Sequence, residues 1–470
     1  MKRWCYRIAL CLCVCLLTLG LCGRMEAAEV VASGTCGESL TWSLDGDGVL
    51  TIRGTGEMAD YQTDSTPWEG NRWKIKSVVV ESGVTSIGAN AFYRCSALTG
   101  ITLPDSVTEI GRCAFYDCSA LTSIALSANI KSIGESAFSG CSSLAQITLP
   151  ARLREISNFT FYGCSGLTNV TIPDSVTSIG EAAFRSCSRL RQITLPDSLT
   201  SLAWDVFRDC SSLESIVIPA RVTEIPREAF WGCTNLRSVT LLDGVEIIGA
   251  GAFLDCINLE QITLPDGVWV INGSAFQGCS SLKSIALPDS VTDISESTFQ
   301  GCSSLKSIEL PDSVTGISTS AFQGCSSLTE INIPDKVRTI WKSAFQGCSS
   351  LQKVTLSRSL QEIGESAFEG CGQLQRIIIP DQVTSIGAYA FYNCKALKAA
   401  GFAGDAPEHG TRAFWMDGAD AAVSAIPGLA LSYIAGKENW TTPSYSGYPT
   451  TLWDCKVFSH WYLDTVTKPT

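Results

Sequence analysis

Fourteen cysteines stand 23 residues apart without a slip, from Cys95 through Cys233 to Cys394. A phenylalanine precedes each by three residues, as in Phe92, Phe230 and Phe391, and a leucine follows each by three, as in Leu98, Leu236 and Leu397. Further on come aliphatic residues and usually a proline, as in Ile285, Leu287, Pro288, Val291 and Ile294 after Cys279. A period of this length means stacked supersecondary units, because no single unit can bury its apolar side alone.

The short runs inside one unit indicate its shape. Ser284-Ile285-Ala286-Leu287 alternates as a strand does, and Pro288-Asp289 forces a turn. Val291 to Ile294 reads as a second extended piece, and the stretch leading to the next cysteine as one helical or 3₁₀ turn that returns the chain to its start. Each unit is then one coil of a parallel β-solenoid, with Leu, Ile, Val, Ala, Phe and Cys pointing inward to form continuous columns. Parallel strands lie ~4.8 Å apart, so the stack should be about 65–70 Å long.

The repeated L-x-x-I-x-L-P-x-x-V-T-x-I-G-x-x-A-F-x-x-C, spread over roughly residues 75–402, resembles the BspA-like class of leucine-rich repeat. The flanks carry the likeness too. Ser33 to Gly37, Leu40 to Leu44 and Val49 to Ile52 resemble the piece that often precedes such arrays, and Gly436 to Trp453 the piece that often follows them. The resemblance implies a leucine-rich repeat solenoid with β-rich caps, and a secreted or cell-surface protein that adheres to or binds a partner.

Four segments follow. Lys2, Arg3 and Arg7 ahead of the apolar run Ile8 to Leu21, with small residues near Ala27-Ala28, make residues 1–28 a secretory signal. The apolar run falls short of the roughly 20 residues of a membrane-spanning helix, and nothing comparable follows it, so the mature chain is expected to lack a transmembrane segment. Residues 29–73 are expected to form an N-terminal β-hairpin cap, with the turn at Asp45-Gly46-Asp47-Gly48 and Trp42, Trp68 and Trp73 as its apolar mass. Residues 74–402 form the solenoid, and 403–470 a degraded last coil and C-terminal cap, in which Phe414 keeps the phase while Asp417 replaces the next cysteine. Such caps are a physical requirement, since an open stack exposes a strand edge and a bare core at each end.

Little here could perform catalysis. His409 and His460 are the only imidazoles, neither with a nucleophile at motif spacing, and no nucleophile elbow, zinc-protease or phosphate-loop motif occurs. Asp105, Asp174, Asp197, Asp289 and Asp312 follow proline as turn residues do. The cysteine column reads as buried packing. Parallel Cβ vectors would hold neighbouring thiols too far apart to bridge, and no Cys-x-x-Cys or Cys/His cluster suggests a metal. Cys36, Cys113 and Cys455 stand outside that column. No catalytic residue, cofactor or metal is therefore expected. Without residues 1–28 the net charge falls from −12 to −15, which excludes nucleic acid as a partner.

Function must then lie on outward positions. Seven residues after each cysteine the chain is rich in threonine, including Thr102, Thr148, Thr171, Thr194, Thr240 and Thr263; β-propensity accounts for this, and an ice- or glycan-binding surface is the functional alternative. One residue after each phenylalanine runs a second column whose first half is aromatic and basic: Tyr93, Tyr116, Tyr162, Arg185, Arg208 and Trp231. Aromatics with arginine are common in protein and sugar contacts, so this ridge is the candidate partner-binding site, although its rings could equally shield the turn beneath. The expected partner is a protein on a host or neighbouring cell, the alternative a glycan held by tryptophans such as Trp204, Trp269 and Trp341.

Overall fold

The structure, a computed structural model, describes residues 29–417, 423–433, 437–440, 444–445 and 448–452. The leader 1–28, Cys455, His460 and parts of the C-terminal piece lie outside the described residues.

The chain winds as a parallel β-solenoid of 23-residue coils. Six and eight residues after each cysteine, aliphatic side chains turn inward while the residue between them faces out. That alternation makes the first sheet: Gly100 pairs with Ser123, Ile101 with Ile124 and Thr102 with Ala125, all parallel and in register. Fourteen and fifteen residues after the cysteine a two-residue strand forms the second sheet, as where Glu109 and Ile110 pair with Ser132 and Ile133. Register is strongly specified, because a slip of one residue would turn the buried set out to water.

The third side differs from the single helical or 3₁₀ turn read from the sequence. Bonds of the 3₁₀ kind are present: the N–H groups of Ala91, Tyr93 and Cys95 donate to Gly88, Asn90 and Phe92. Between them, however, the N–H groups of Asn90, Phe92 and Arg94 donate to Arg112, Ala114 and Tyr116 of the next coil, at 2.7 to 2.9 Å. The segment is thus a third inter-coil ladder. It is made possible by left-handed residues at two places per coil, such as Asn90 at φ 55° and Arg94 at φ 56°. Such a conformation costs an ordinary residue about 1–2 kcal/mol, and here it aims a backbone donor along the stack.

The second sheet divides between residues 133 and 155, 202 and 224, and 271 and 293. At the residue that follows each resumed strand, the usual backbone bond is replaced or missing. Gly180 donates its N–H to Ile156 in the regular arrangement. Pro226 has no N–H to give. At Ser157 and Ser295 the hydroxyl reaches Ile133 and Ile271 instead, at 2.8 and 2.9 Å.

Both ends are covered by aromatic residues. Strands β1 (Val30–Thr35), β2 (Leu40–Asp45) and β3 (Val49–Gly54) pair antiparallel, and β3 then pairs parallel with Ser77–Val80 to start the first sheet. The Asp45 carboxylate accepts from the N–H groups of Asp47 and Val49 and closes the hairpin. Trp68, fully buried, stacks on Phe92 at 5.6 Å and donates its indole N–H to Ala91. Trp42 meets it edge-on. Trp73 departs from the expectation that it fills the cap: it is 64% exposed, with only the Lys74 ammonium above its ring. It sits in a short 3₁₀ segment, Glu69–Lys74, that buries no side chain.

At the other end the first sheet continues past residue 402, through Ala430–Tyr433 to Tyr448–Leu452. Phe414 stacks on Phe391 at 5.1 Å, and Phe402 and Trp440 close over it. Asp417 stands where a cysteine would and turns outward, accepting from Asn393 and Tyr392. His409 pairs in register with buried Ile386 yet is exposed.

Candidate functional site

The inward columns are closed packing. From Phe92 to Phe414 every phenylalanine of the column stacks on the next at 5.1–5.7 Å. Beside them, from Cys118 to Cys394, each thiol donates to the phenylalanine carbonyl of the coil before, at 3.1–3.3 Å. Every cysteine among the described residues, including Cys95, Cys233, Cys36 and Cys113, is a buried free thiol. Burial pushes these thiols up, to about 12 at Cys95, Cys164, Cys325 and Cys394. A protonated, enclosed thiol is a poor nucleophile and a poor ligand. Among the described residues no three acidic, cysteine or histidine side chains converge as a metal site.

The aromatic and basic ridge on the third side falls into two groups, separated by Ser139. Tyr93 and Tyr116 stack at 5.0 Å. The Arg185 guanidinium lies 5.8 Å from the Tyr162 ring centre, and that of Arg208 lies 3.5 Å from Trp231. Both arginines are also paired with acids. Arg185 bonds Asp205 at 2.8 Å, and Arg208 bonds Glu228 at 2.6 Å while also reaching Asp205. Burial raises the Asp205 carboxyl despite the attraction of Arg208. Of the six ridge residues only Tyr162 is classed as exposed, at 37%. The geometry brings Tyr93 to Tyr116, and Tyr162, Arg185, Arg208 and Trp231 into a second group, and within each group the side chains largely contact one another or neighbouring acids.

The outward side of the first sheet, which bears the threonine column, is a second surface. Five and seven residues after each cysteine, the first sheet turns its outward side chains to water. From Gly100 to Ser307 none of these positions carries a charge: glycine, serine, glutamine, asparagine, threonine, alanine and Val217 fill them. Val217, near the middle, is 53% exposed. Along one border, four residues after the cysteine, a charged row begins at Arg191 and continues through Glu214, Arg237, Glu260 and Lys283, after Thr99, Thr122, Ala145 and Thr168 in the earlier coils. Thus a neutral strip and a charged rim share one flat face. The threonine pattern was visible in the sequence; the absence of charge beside it became meaningful only when both columns fell on one plane.

Trp204, Trp269 and Trp341 are exposed by 60%, 52% and 54%, each on a separate coil, and neither of two recesses on the described surface is lined by them. No helix among the described residues is long and apolar enough to cross a membrane.

Comparison with known proteins agrees with this architecture. No curated protein matches the chain. A leucine-rich repeat protein from Bacteroides ovatus is 26% identical, with 89% of this chain and 99% of that one covered and a TM-score of 0.60. One from Eubacterium ventriosum is 27% identical, covering 77% and 95%, at a TM-score of 0.43. A leucine rich cell surface protein from Faecalibacterium prausnitzii is 28% identical, covering 80% and 96%, at 0.41. The family described as the BspA type leucine rich repeat region matches residues 70–167, 154–283 and 269–398. With its coil period, its phenylalanine and cysteine columns and this match over most of its length, the chain belongs to the BspA type leucine-rich repeat family.

Proposed function

We propose that the protein is an exported, non-catalytic scaffold at the cell surface that binds another protein, on a host or neighbouring cell, through the outward face of its first sheet. The observation that carries this reading is the charge-free strip between Gly100 and Ser307 within a chain of net charge −12. Protein interfaces are depleted of charge at their centre and polar at their rim, because burying an unpaired charge is costly. The strip and its Arg191 to Lys283 border have that arrangement. The basic and apolar leader supports export.

A contact at the ridge is favoured by one observation, the exposed ring of Tyr162. The two surfaces are separable. Introducing carboxylates by Thr171→Glu, Val217→Glu and Thr263→Glu together should lower adhesion of the mature protein to target cells at least tenfold with an unchanged melting temperature. Replacing Tyr93, Tyr116, Tyr162 and Trp231 by alanine should leave adhesion within twofold. The reverse outcome would move the site to the ridge.

A further inference from the structure

We propose that the second-sheet side of the solenoid is a docking line for a neutral polysaccharide, with Trp204, Trp269 and Trp341 as its stacking platforms. The three indoles are more than half exposed, which is costly for so large an apolar surface and contributes nothing to the core. Nor does the coil need them. They stand 17, 13 and 16 residues after their cysteines, where other coils place residues such as Thr319, Thr292 and Gly364. Trp269 stands just before the second strand of its coil, Trp341 just after it, and Trp204 one residue further, at the corner with the third side, so the platforms are staggered across the second-sheet side. Their axial step is constant, from the coil of Cys187 to that of Cys256 to that of Cys325, three coils each time, or about 14 Å at the spacing of parallel strands.

Separation and chemistry together select the ligand. A protein hot spot gathers its aromatic anchors in one packed centre, whereas these stand apart with polar surface between them. A linear polymer can touch platforms at intervals. The C–H face of a sugar ring is weakly electropositive and suits the negative face of an indole, while its hydroxyls need hydrogen-bond partners nearby. Such partners are present beside Trp204, where a shallow recess on the same side is lined by Glu135, Glu155 and Asn158. The two carboxylates disfavour an anionic polymer, so the ligand is a neutral glycan. Three weak platforms on one chain act by avidity, so losing all three costs far more than losing any one.

The test is native electrophoresis of the full mature protein through gels containing xylan, mixed-linkage β-glucan or mannan, with polygalacturonate as the anionic comparison. At least one neutral polymer should retard the wild type, and polygalacturonate should not. Trp204→Ala, Trp269→Ala and Trp341→Ala combined should remove the retardation at an unchanged melting temperature, a loss of at least 50-fold in apparent affinity. Each single change should cost about three- to tenfold, and the corresponding Trp→Phe variants less. The Thr171, Val217 and Thr263 variant should be retarded like the wild type, which separates this line from the protein-binding face. Equal retardation of wild type and triple variant, retardation by polygalacturonate, or none in any neutral gel would each overturn the proposal. So would a triple variant that loses cell adhesion without any change in the gels.

Discussion

The two halves of the ridge column occupy the same backbone position and solve the same problem with different chemistry. From Tyr93 to Trp231 the position one after phenylalanine holds rings and guanidinium groups, linked by stacking, cation–π contact and ion pairs across coils. From Gln300 to Glu369 it holds amides in a chain: Gln300 donates to Gln323 and Gln323 to Gln346, both at 2.6 Å, and Gln346 to Glu369 at 3.0 Å. Beneath both halves the phenylalanine and cysteine columns run unchanged. Stacking therefore leaves each outward side chain free to find a partner one coil away or, as at Ser139 and Leu254, to interrupt the chain of contacts. Which partner is left open, and that freedom is where a repeat protein can vary its surface without altering its fold.

Alkali should unfold both halves together, because one thiol column passes through both. Each folded thiol titrates well above its ordinary value of 9.0, so its contribution is fully present below pH 9 and is lost as pH rises through the folded value. Far-ultraviolet circular dichroism followed from about pH 7 to about pH 12 should stay flat to about pH 9 and then fall in one cooperative step. Two separate steps would show that the halves unfold independently.

Next in size is a cavity in the shared column. Phe230→Ala, in the aromatic half, and Phe345→Ala, in the amide half, should each cost about 3–5 kcal/mol in urea unfolding, since both rings are fully buried. Unequal losses would mean that the outward chemistry reaches into the core.

The smallest effects should separate the two outer columns. Arg208→Ala leaves Asp205 to Arg185 and Glu228 to Arg227, but removes a charge-assisted bond and the contact with Trp231, and should cost about 1.5–3 kcal/mol. Gln323→Ala removes two neutral hydrogen bonds and should cost only about 1 kcal/mol. Equal costs in the same unfolding assay would remove the distinction between an ion-paired and an amide ladder.

Much of the architecture is legible along the chain. The spacing of Cys95, Cys118 and their successors sets the coil length, and the alternation around Ile101 or Ile285 indicates which residues face inward. The third side is harder to read. Ser274, Ser297, Ser320, Ser343 and Ser366 all take φ near 55°, yet serine carries no strong signal for that conformation. The local hint lies elsewhere, in the glycine, aspartate or asparagine that often stands just before the cysteine, as at Asp117, Asp209, Gly278 and Asn393, all left-handed. Trp73 shows the opposite failure: a large apolar residue beside a cap suggests burial, but the short segment that bears it turns no side chain into the core.

The sequence by itself determined the period and the inward columns, because burial of an apolar face acts on every coil alike and leaves its mark at fixed spacing. Only the tertiary structure decided which outward residues meet. Ion pairs such as Arg208 with Glu228, and the columns that make up the neutral strip, join residues 20 or more positions apart in the chain. Their proximity arises from the short rise between coils, which brings distant positions within hydrogen-bond reach once the backbone has stacked.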